Sequence, residues 1–553
     1  VAVTVDGSEF ATEMYDRLAL LRVEESIQLP DAFLIRIDDP HFEVFDAQTF
    51  KMGVQVEIAF QGEGQKVTVT KGEVTAISVE QGPGGRHELV LFGLDATHRL
   101  HRGPKSRTFN QMTDGDIASQ IAGEYGLQTD IDTTREVHDY VVQPGLSDYT
   151  FLSARARAIG FDLWVTDQTL FFKESPRAAS NPPELEWGEN LHKWKVRFSS
   201  TERCDEVTVR GWDPVAKTEI VGKATQPERG TTASAAEEIA DEGKQAFGQV
   251  SRAAGQFPVA TQAEADAMAH SLLLRSSGGE VVARGEAAGD PLLAAGSEVE
   301  VKGVGKRLTG KYRLTSVEHV YGAGTPYLTR FVCGAKEPTS LIDLVGSGTA
   351  AMPGWGSLVL GTVTNVDDPD KLGRAKVKFV DLDNTESQWA FVASPGAGAS
   401  RGLECPPEVG DTVVVGFEHD DKRRPIVLGG LWNKTDKPPR GDAVKNGEVV
   451  ARVLRSRNGH VLELLDEDEG SITLAMGDAA PKLVLKKDES VFAGETKTRV
   501  EGQEVELSGS GKLTIEASEI VLNAQTKLAL GAPQIGIEAS GVVEIKGSLI
   551  KLN

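Results

Sequence analysis

The sequence predicts a mainly β chain: two β-barrels around an α/β insertion, a five-stranded Greek-key barrel, and a C-terminal β-prism in which three chains intertwine. Three observations carry this reading. Apolar pairs recur at Leu513/Ile515, Ile520/Leu522, Leu528/Leu530, Ile535/Ile537, Val543/Ile545 and Ile550/Leu552, with successive spacings of 7, 8, 7, 8 and 7 residues. The 553 residues include 59 glycines but only 6% aromatics, a composition of short strands and turns rather than large helical cores. Finally, the stretch from Gly356 to Asp436 holds five strand-like runs in a compact block.

From the N-terminus, residues 1–104 carry the runs FLIRIDD, GVQVEIAF, KVTVTKGEVTAISVE and HELVLFGLDA, separated by turns such as Gly82–Gly85. They form the first barrel. Residues 105–175 form the insertion. Thr113 caps a helix carrying Asp116, Ile117, Ile121 and Ala122 and ending near Gly126; a second helix runs from Ser147 to Ile159 and stops at Gly160. Residues 176–340 return to strands (KWKVRF, EVTVRGW, EVEVKG, YRLTSVEHVY) as the second barrel, interrupted by one helix from about Gln262 to Arg275. A Gly, Ser, Ala and Pro-rich linker follows at 341–355. Within 356–436 the runs SLVLGTVTNV, RAKVKFV, WAFVAS, TVVVGFE and PIVLGGL predict an OB-type barrel. A short linker, 437–448, leads to the prism at 449–553.

The prism follows from the repeat. Ala517, Ala524, Ala532, Ala539 and Gly547 follow the first five pairs, so each unit is a short strand with alternate side chains inward and a tight corner behind. Six such strands in series cannot bury their apolar faces as an open ribbon. Single-chain parallel β-helices have coils of roughly 18–25 residues and thick interiors. Here each strand offers only two aliphatics, and Phe492 is the only aromatic after Trp432. So narrow a core suits three chains, each giving one strand per turn. At about 4.8 Å per layer, six strands rise roughly 29 Å, a thin three-sided needle. Its expected core is Leu513, Ile515, Ile520, Leu522, Leu528, Leu530, Ile535, Ile537, Val543 and Ile545.

Composition excludes several partners. The net charge of −23 gives a trimer about −69, which opposes nucleic-acid or anionic-membrane binding. There is no apolar run long enough for a transmembrane helix. Cys204, Cys333 and Cys405 are scattered and odd in number, reading as buried thiols in a chain folded in a reducing compartment rather than a disulfide framework. No signal peptide is visible, and the chain starts at Val1 rather than Met.

Apparent catalytic motifs fail on context. Gly398-Ala399-Ser400-Arg401-Gly402 matches a nucleophile elbow, but sits in a Gly/Ala loop followed by Pro406 and Pro407 rather than between strand and helix. His98 and His101 have ligand spacing on a helix, yet their arginine-rich surroundings repel a cation, so a surface face is expected. Asp466-Glu467-Asp468-Glu469-Gly470 lacks the spacing of a calcium loop and reads as a hairpin turn. No P-loop or dinucleotide fingerprint occurs. No catalytic, cofactor-binding or metal residue is nominated, and no cofactor is required.

Gly361-x-Val363, Pro369, Gly373-Arg374-x-x-Val377, Trp389, Pro406, Gly410-Asp411, Phe417 and Pro425-x-Val427-Leu428-Gly429 occur in an order that resembles the OB domain of contractile-tail spikes, including the VgrG proteins of type VI secretion. Ser456-x-x-Gly459-His460 and the acidic turn before Ser471-Ile472 resemble the lead-in to a VgrG needle. Gln143-x-x-x-Ser147-Asp148-Tyr149-x-Phe151-Leu152 is similar to the insertion helix of the phage hub protein; Val209-x-Gly211-Trp212-Asp213-Pro214 and Gly310-x-Tyr312-x-Leu314-x-x-x-Glu318-His319 resemble strands of its second barrel. The resemblance covers nearly the whole chain in order.

It implies a homotrimer whose paired barrels present six near-equivalent units to a six-fold inner tube or tube adaptor, with baseplate proteins around the hub. It also implies that a conical, PAAR-like tip protein contacts Ser548, Leu549, Ile550, Lys551, Leu552 and Asn553. Some phage spikes carry a lysozyme between OB barrel and needle; 437–448 leaves no room for one, and no domain is expected after Asn553. The expected function is therefore a non-enzymatic spike: made in the bacterial cytoplasm, part of a phage-tail-like extracellular injection system, and touching a target membrane only mechanically. A type VI VgrG or a phage or tailocin baseplate spike is the alternative. A wall-degrading tail hydrolase, a trimeric adhesin and a single-chain carbohydrate-active solenoid are more remote.

Overall fold

The computed structural model describes residues 1–551 except 28, 63–65, 83–85, 175–181, 202, 255–258, 335–357, 383, 468 and 478–481. The 341–355 linker, Leu552 and Asn553 lie outside the described residues, as does most of the Gly82–Gly85 turn. The chain divides into two units, Val1–Trp432 and Asn433–Asn553.

In the first unit both expected barrels hang on one 13-stranded sheet. Its path starts at Leu191–Phe198 and passes Val281–Ala288, Thr325–Cys333 and Gly310–Gly322. It then crosses to Leu18–Ser26 and continues through Ala32–Asp38, Arg86–Asp95, Lys66–Gly82, Gln55–Gln61 and Ala2–Val5. The crossing is antiparallel, with His319 opposite Val23 and Glu318 opposite Glu24. Two separate apolar cores sit on this sheet. One gathers Leu21, Phe33, Ile35, Ile58, Phe60 and Leu91; the other Leu191, Leu293, Val299, Tyr312, Leu314 and Phe331. Strand alternation aims Phe33, Ile35 and Ile37 inward, each contributing about 1.5–3 kcal/mol of burial. A Cβ on Gly93 would lie 2.0 Å from the Phe33 ring, so that position admits only glycine.

The insertion pairs Lys105–Met112 with His138–Leu146 and places Thr169–Glu174 between Phe161–Thr166 and Gln128–Ile131. Its helices start and stop for local reasons. Thr113 and Asp116 cap Asp114–Glu124 reciprocally, Ser147 accepts from the Thr150 amide, and Gly160 ends Asp148–Ile159 at φ 77°. A second small layer holds Glu206–Asp213 between Thr218–Ala224 and Ser251–Ala254, under the helix Gln262–Gly278. The expectation of one helix in this block is corrected: Ser234–Phe247 is a second.

The OB block is a six-stranded sheet: Thr385–Glu386, Lys376–Phe379, Val359–Asn365, Thr412–Phe417, Pro425–Gly430 and Phe391–Val392 in that order. It closes around Val363, Val377, Phe379, Val413, Val415 and Val427. In the second unit, Ala451–Arg455, Val461–Leu465, Ser471–Ala475, Lys482–Leu485 and Ser490–Ala493 form an antiparallel meander. Among the described residues from 494 to 551 the chain forms no strand with itself.

Candidate functional site

Two arginines tie the OB block to the rest of the first unit. At the turn between Thr412–Phe417 and Pro425–Gly430, Arg424 Nη1 and Nη2 donate to the carbonyls of Val259 (3.2 Å) and Trp212 (2.9 Å). Its Nε donates to Glu418 at 2.7 Å. Arg423 Nη1 donates to Glu264 Oε1 at 2.7 Å and its Nε to Asp421 Oδ2 at 3.0 Å. Those two carboxylates outweigh the cost of burial and raise the guanidinium above its ordinary pKa. A third contact comes from the insertion, where Tyr140 donates its hydroxyl to the Glu386 carbonyl at 2.7 Å.

Glu264 lies in the first turn of Gln262–Gly278, where its Oε2 accepts from the Ala260 amide at 2.8 Å. It belongs to a half-buried polar network around His138. His138 Nδ1 is 3.5 Å from Glu264 Oε1. His138 Nε2 is 3.2 Å from Asp114 Oδ2 and 2.7 Å from Arg155 Nη2. Arg155 Nε donates to Asp114 Oδ1 at 2.5 Å, and Thr261 Oγ1 to Glu136 Oε1 at 2.5 Å. Donor atoms of Glu136, His138 and Glu264 all lie within 4.8 Å of one another, beside a cavity of about 450 Å³. Burial works to raise the Asp114 and Glu264 carboxyls. The charges and hydrogen bonds of Arg155 and His138 on the first, and of Arg423 and the Ala260 amide on the second, overcome it and hold both below the ordinary range. Sequence reading missed this constellation. Glu136 and His138 share a face of an extended segment, but Glu264 is more than a hundred residues away and no local motif links them.

A second polar cluster sits where the two halves of the large sheet meet. Asp95 accepts from the Thr97 amide (3.0 Å) and hydroxyl (2.9 Å), Asp31 from the Ser26 amide (3.1 Å), and Glu25 from the Ala295 amide (3.1 Å). All three carboxyls are buried. Burial pushes Asp95 up to about 7; burial and the Glu25 and Asp95 charges push Asp31 well up. His319, fully buried, directs Nε2 towards Glu25 at 3.4 Å.

The remaining sequence candidates fall as follows. Cys204 and Cys333 are buried thiols, but Cys405 is exposed, in the loop before Pro406 and Pro407. His98 is buried rather than on a surface face: its Nε2 is 3.1 Å from Glu73, which Arg99 also engages, so a buried carboxylate offsets the local positive charge. His101 is exposed and stacks on Tyr149 at 4.2 Å. Ser400 lies in an exposed loop bridged from Gly398 to Arg401, with no helix after it, which is incompatible with a nucleophile elbow. The acidic stretch at Glu467 is a hairpin turn closed by the Gly470 amide on the Glu467 carbonyl. The ten expected needle-core residues from Leu513 to Ile545 are 50–67% exposed in the isolated chain, and Ser548–Lys551 are exposed as well. The meander carries a related stripe: Leu454, Leu462, Leu474, Leu483 and Phe492 stand opposite one another across five strands, with most of that row exposed.

The chain thus combines a hub-like pair of barrel cores, an OB barrel seated by paired arginines, and a C-terminal segment that, among its described residues, forms no strand with its own chain. Known proteins share parts of this arrangement. Residues 359–432 match the type VI secretion system/phage-baseplate injector OB domain. Residues 1–322, over half of the chain, match the Alg8 N-terminal domain, and the chain belongs to that family. Among solved structures, a Francisella PdpA–VgrG complex aligns over 89% of this chain and 79% of its own, with a TM-score of 0.50 at 8% identity. An E. coli type VI secretion component, described as similar to the T4 tail proteins gp27 and gp5, covers 75% of this chain and 96% of its own (TM-score 0.47, 13% identity). A prophage MuSo2 43 kDa tail protein from Shewanella oneidensis covers 60% and 97% (TM-score 0.46, 16% identity).

Proposed function

We propose that this chain is the trimeric hub and spike of a contractile injection machine, acting mechanically and without catalysis. The observation that carries the reading is the state of the last sixty residues. Their apolar pairs recur at 7–8-residue spacing and, among the described residues 494–551, lie exposed in segments that make no strand with their own chain. Backbone amides and carbonyls of such a segment need partners, and three chains wrapped together supply both these and a dry aliphatic interior. The exposed apolar row of the meander asks for the same arrangement one step earlier in the chain.

Upstream, two apolar cores per chain give six barrel-like modules per trimer, the number needed to meet a six-fold tube while the needle keeps three-fold symmetry. The arginine-seated OB barrels form the collar. Sheath contraction then drives the tube, and the needle concentrates the force on a small area of envelope. A conical tip protein caps the strand edges at Ser548–Asn553. No helix among the described residues is long and apolar enough to cross a membrane, in keeping with a transient rather than a resident membrane contact. The compact module order favours a phage-tail-like extracellular particle; a type VI or phage spike is the second reading, favoured by the VgrG fold likeness.

The test is positional. A density label fused after Asn553 and imaged by cryo-electron microscopy in intact particles should lie on the axis at the leading end of the tube. A label on the sheath, or absent from the particle, refutes the reading.

A further inference from the structure

The His138 network is built as a metal site as well as an ion-pair network. We propose that Glu136, His138 and Glu264 bind one zinc-class divalent transition-metal ion, clasping the insertion to the helix on which the OB barrel is seated.

The geometry supports this on four counts. His138 Nδ1 and Glu264 Oε1 stand 3.5 Å apart, and Glu136 completes a trio within 4.8 Å. Bonds of about 2.0–2.1 Å in a tetrahedral site separate neighbouring ligands by roughly 3.3 Å, so closure needs only side-chain adjustment. The adjoining cavity of about 450 Å³ leaves room for a water as fourth ligand and an entry path. Charge fits too: Asp114, Glu136, Glu264 and Asp421 face Arg155 and Arg423, leaving two negative charges for a divalent ion to neutralise. A histidine nitrogen in the set disfavours calcium and magnesium, which prefer all-oxygen shells.

The surrounding contacts supply the support that metal ligands require. Asp114 Oδ2, 3.2 Å from His138 Nε2, is placed to accept that nitrogen's proton-bearing edge, the carboxylate–histidine–metal arrangement that fixes a ligand ring. Arg155 Nη2 lies 2.7 Å from the same nitrogen. Without metal, Nε2 faces both Asp114 and Arg155, and Nδ1 faces Glu264. With metal, Nδ1 gives its lone pair to the ion, Nε2–H is held by Asp114, and Arg155 keeps its Nε bond to the other Asp114 oxygen. Metal binding therefore fixes His138 as the Nε2–H tautomer. Glu264 can hold the ion and Arg423 together, because each carboxylate oxygen has two lone pairs.

This proposal does not depend on the spike reading. The test uses the full chain, stripped with chelator, then titrated calorimetrically with Zn²⁺ and analysed for metal after desalting. The expected result is about one zinc per chain, not displaced by excess Ca²⁺ or Mg²⁺. Glu136→Gln, at a half-buried position that leaves the ion pairs intact, should weaken binding at least about tenfold; Asp114→Asn should weaken it about 10–100-fold by freeing the ring. Histidine ¹⁵N spectra should show zinc bound at Nδ1 of His138 and the proton held on Nε2. Less than about a tenth of a zinc per chain, or binding unaltered in both Glu136→Gln and a folded His138→Gln variant, overturns the proposal.

Discussion

Asp95 offers the sharpest test of the buried electrostatics. It ends the strand Arg86–Asp95, is 3% exposed, and its amide is bonded to the Asp31 carbonyl at 2.9 Å. Burial raises its pKa from 3.8 to about 7, against the opposing Thr97 hydrogen bonds. The sign follows. Below about pH 4 the carboxyl is protonated whether the chain is folded or not, and costs nothing. From about pH 4 to 7 the unfolded chain releases a proton that the folded chain retains, so stability falls as pH rises. Above about pH 7 the full penalty applies, ~4 kcal/mol at ~1.4 kcal/mol per pH unit. Asp95→Asn is neutral throughout and keeps the site's hydrogen bonds: its carbonyl accepts from the Thr97 amide, and its amide donates to the Thr97 hydroxyl. The variant should gain most of that ~4 kcal/mol at pH 8 and only about 1 kcal/mol at pH 4.5. Hydrogen exchange of amides in Ala32–Asp38 and Arg86–Asp95, compared between the two proteins at both pH values, reads the difference locally and cancels the titrating groups that Asp95 does not influence; relief of Asp31 from the Asp95 charge adds to the gain at high pH. A gain independent of pH, or a variant less stable than the parent at pH 8, would refute the burial argument.

Other expectations follow from packing and contacts. Ile537→Asp puts three carboxylates into the proposed needle interior at several kcal/mol each, so protease resistance should be lost below that layer and kept in the OB barrel. Full resistance would show that the inward register is wrong. A Cβ at Gly222 would meet the Ala265 carbonyl oxygen at 2.1 Å, backbone against backbone. Gly222→Ala should therefore lift the helix Gln262–Gly278 and cost about 1–3 kcal/mol, read as faster exchange in that helix; unchanged exchange would contradict the packing. Arg424→Ala removes both bonds to the Val259 and Trp212 carbonyls, about 3 kcal/mol at the junction, and calorimetry should then resolve a separate OB transition.

Sequence exposed the features that are written locally. The Thr113–Asp116 box, Gly160 in the left-handed region, the OB strands and the terminal pairs all carry their signal within a few residues. The long-range features left no such signal. Nothing near Leu18–Ser26 announces Gly310–Gly322 as its neighbour, so the sequence does not show that the two barrels share one sheet. The helix Ser234–Phe247 buries only Ala235, Ala236 and Gly243, too small an apolar face to stand out. His98 was misplaced because its counter-charge, Glu73, lies on a different strand. The His138 trio was invisible for the same reason: Glu264 reaches it only through the fold. In the terminal repeat the difficulty is reversed, since the period is plain in the sequence but the pairing proposed for it lies between chains.

That pairing is the centre of the account, and absolute mass by light scattering tests it most directly. The purified chain should weigh about three times its 59.3 kDa and hold that mass in mild denaturant. A folded, stable monomer would contradict the intertwined needle and, with it, the spike.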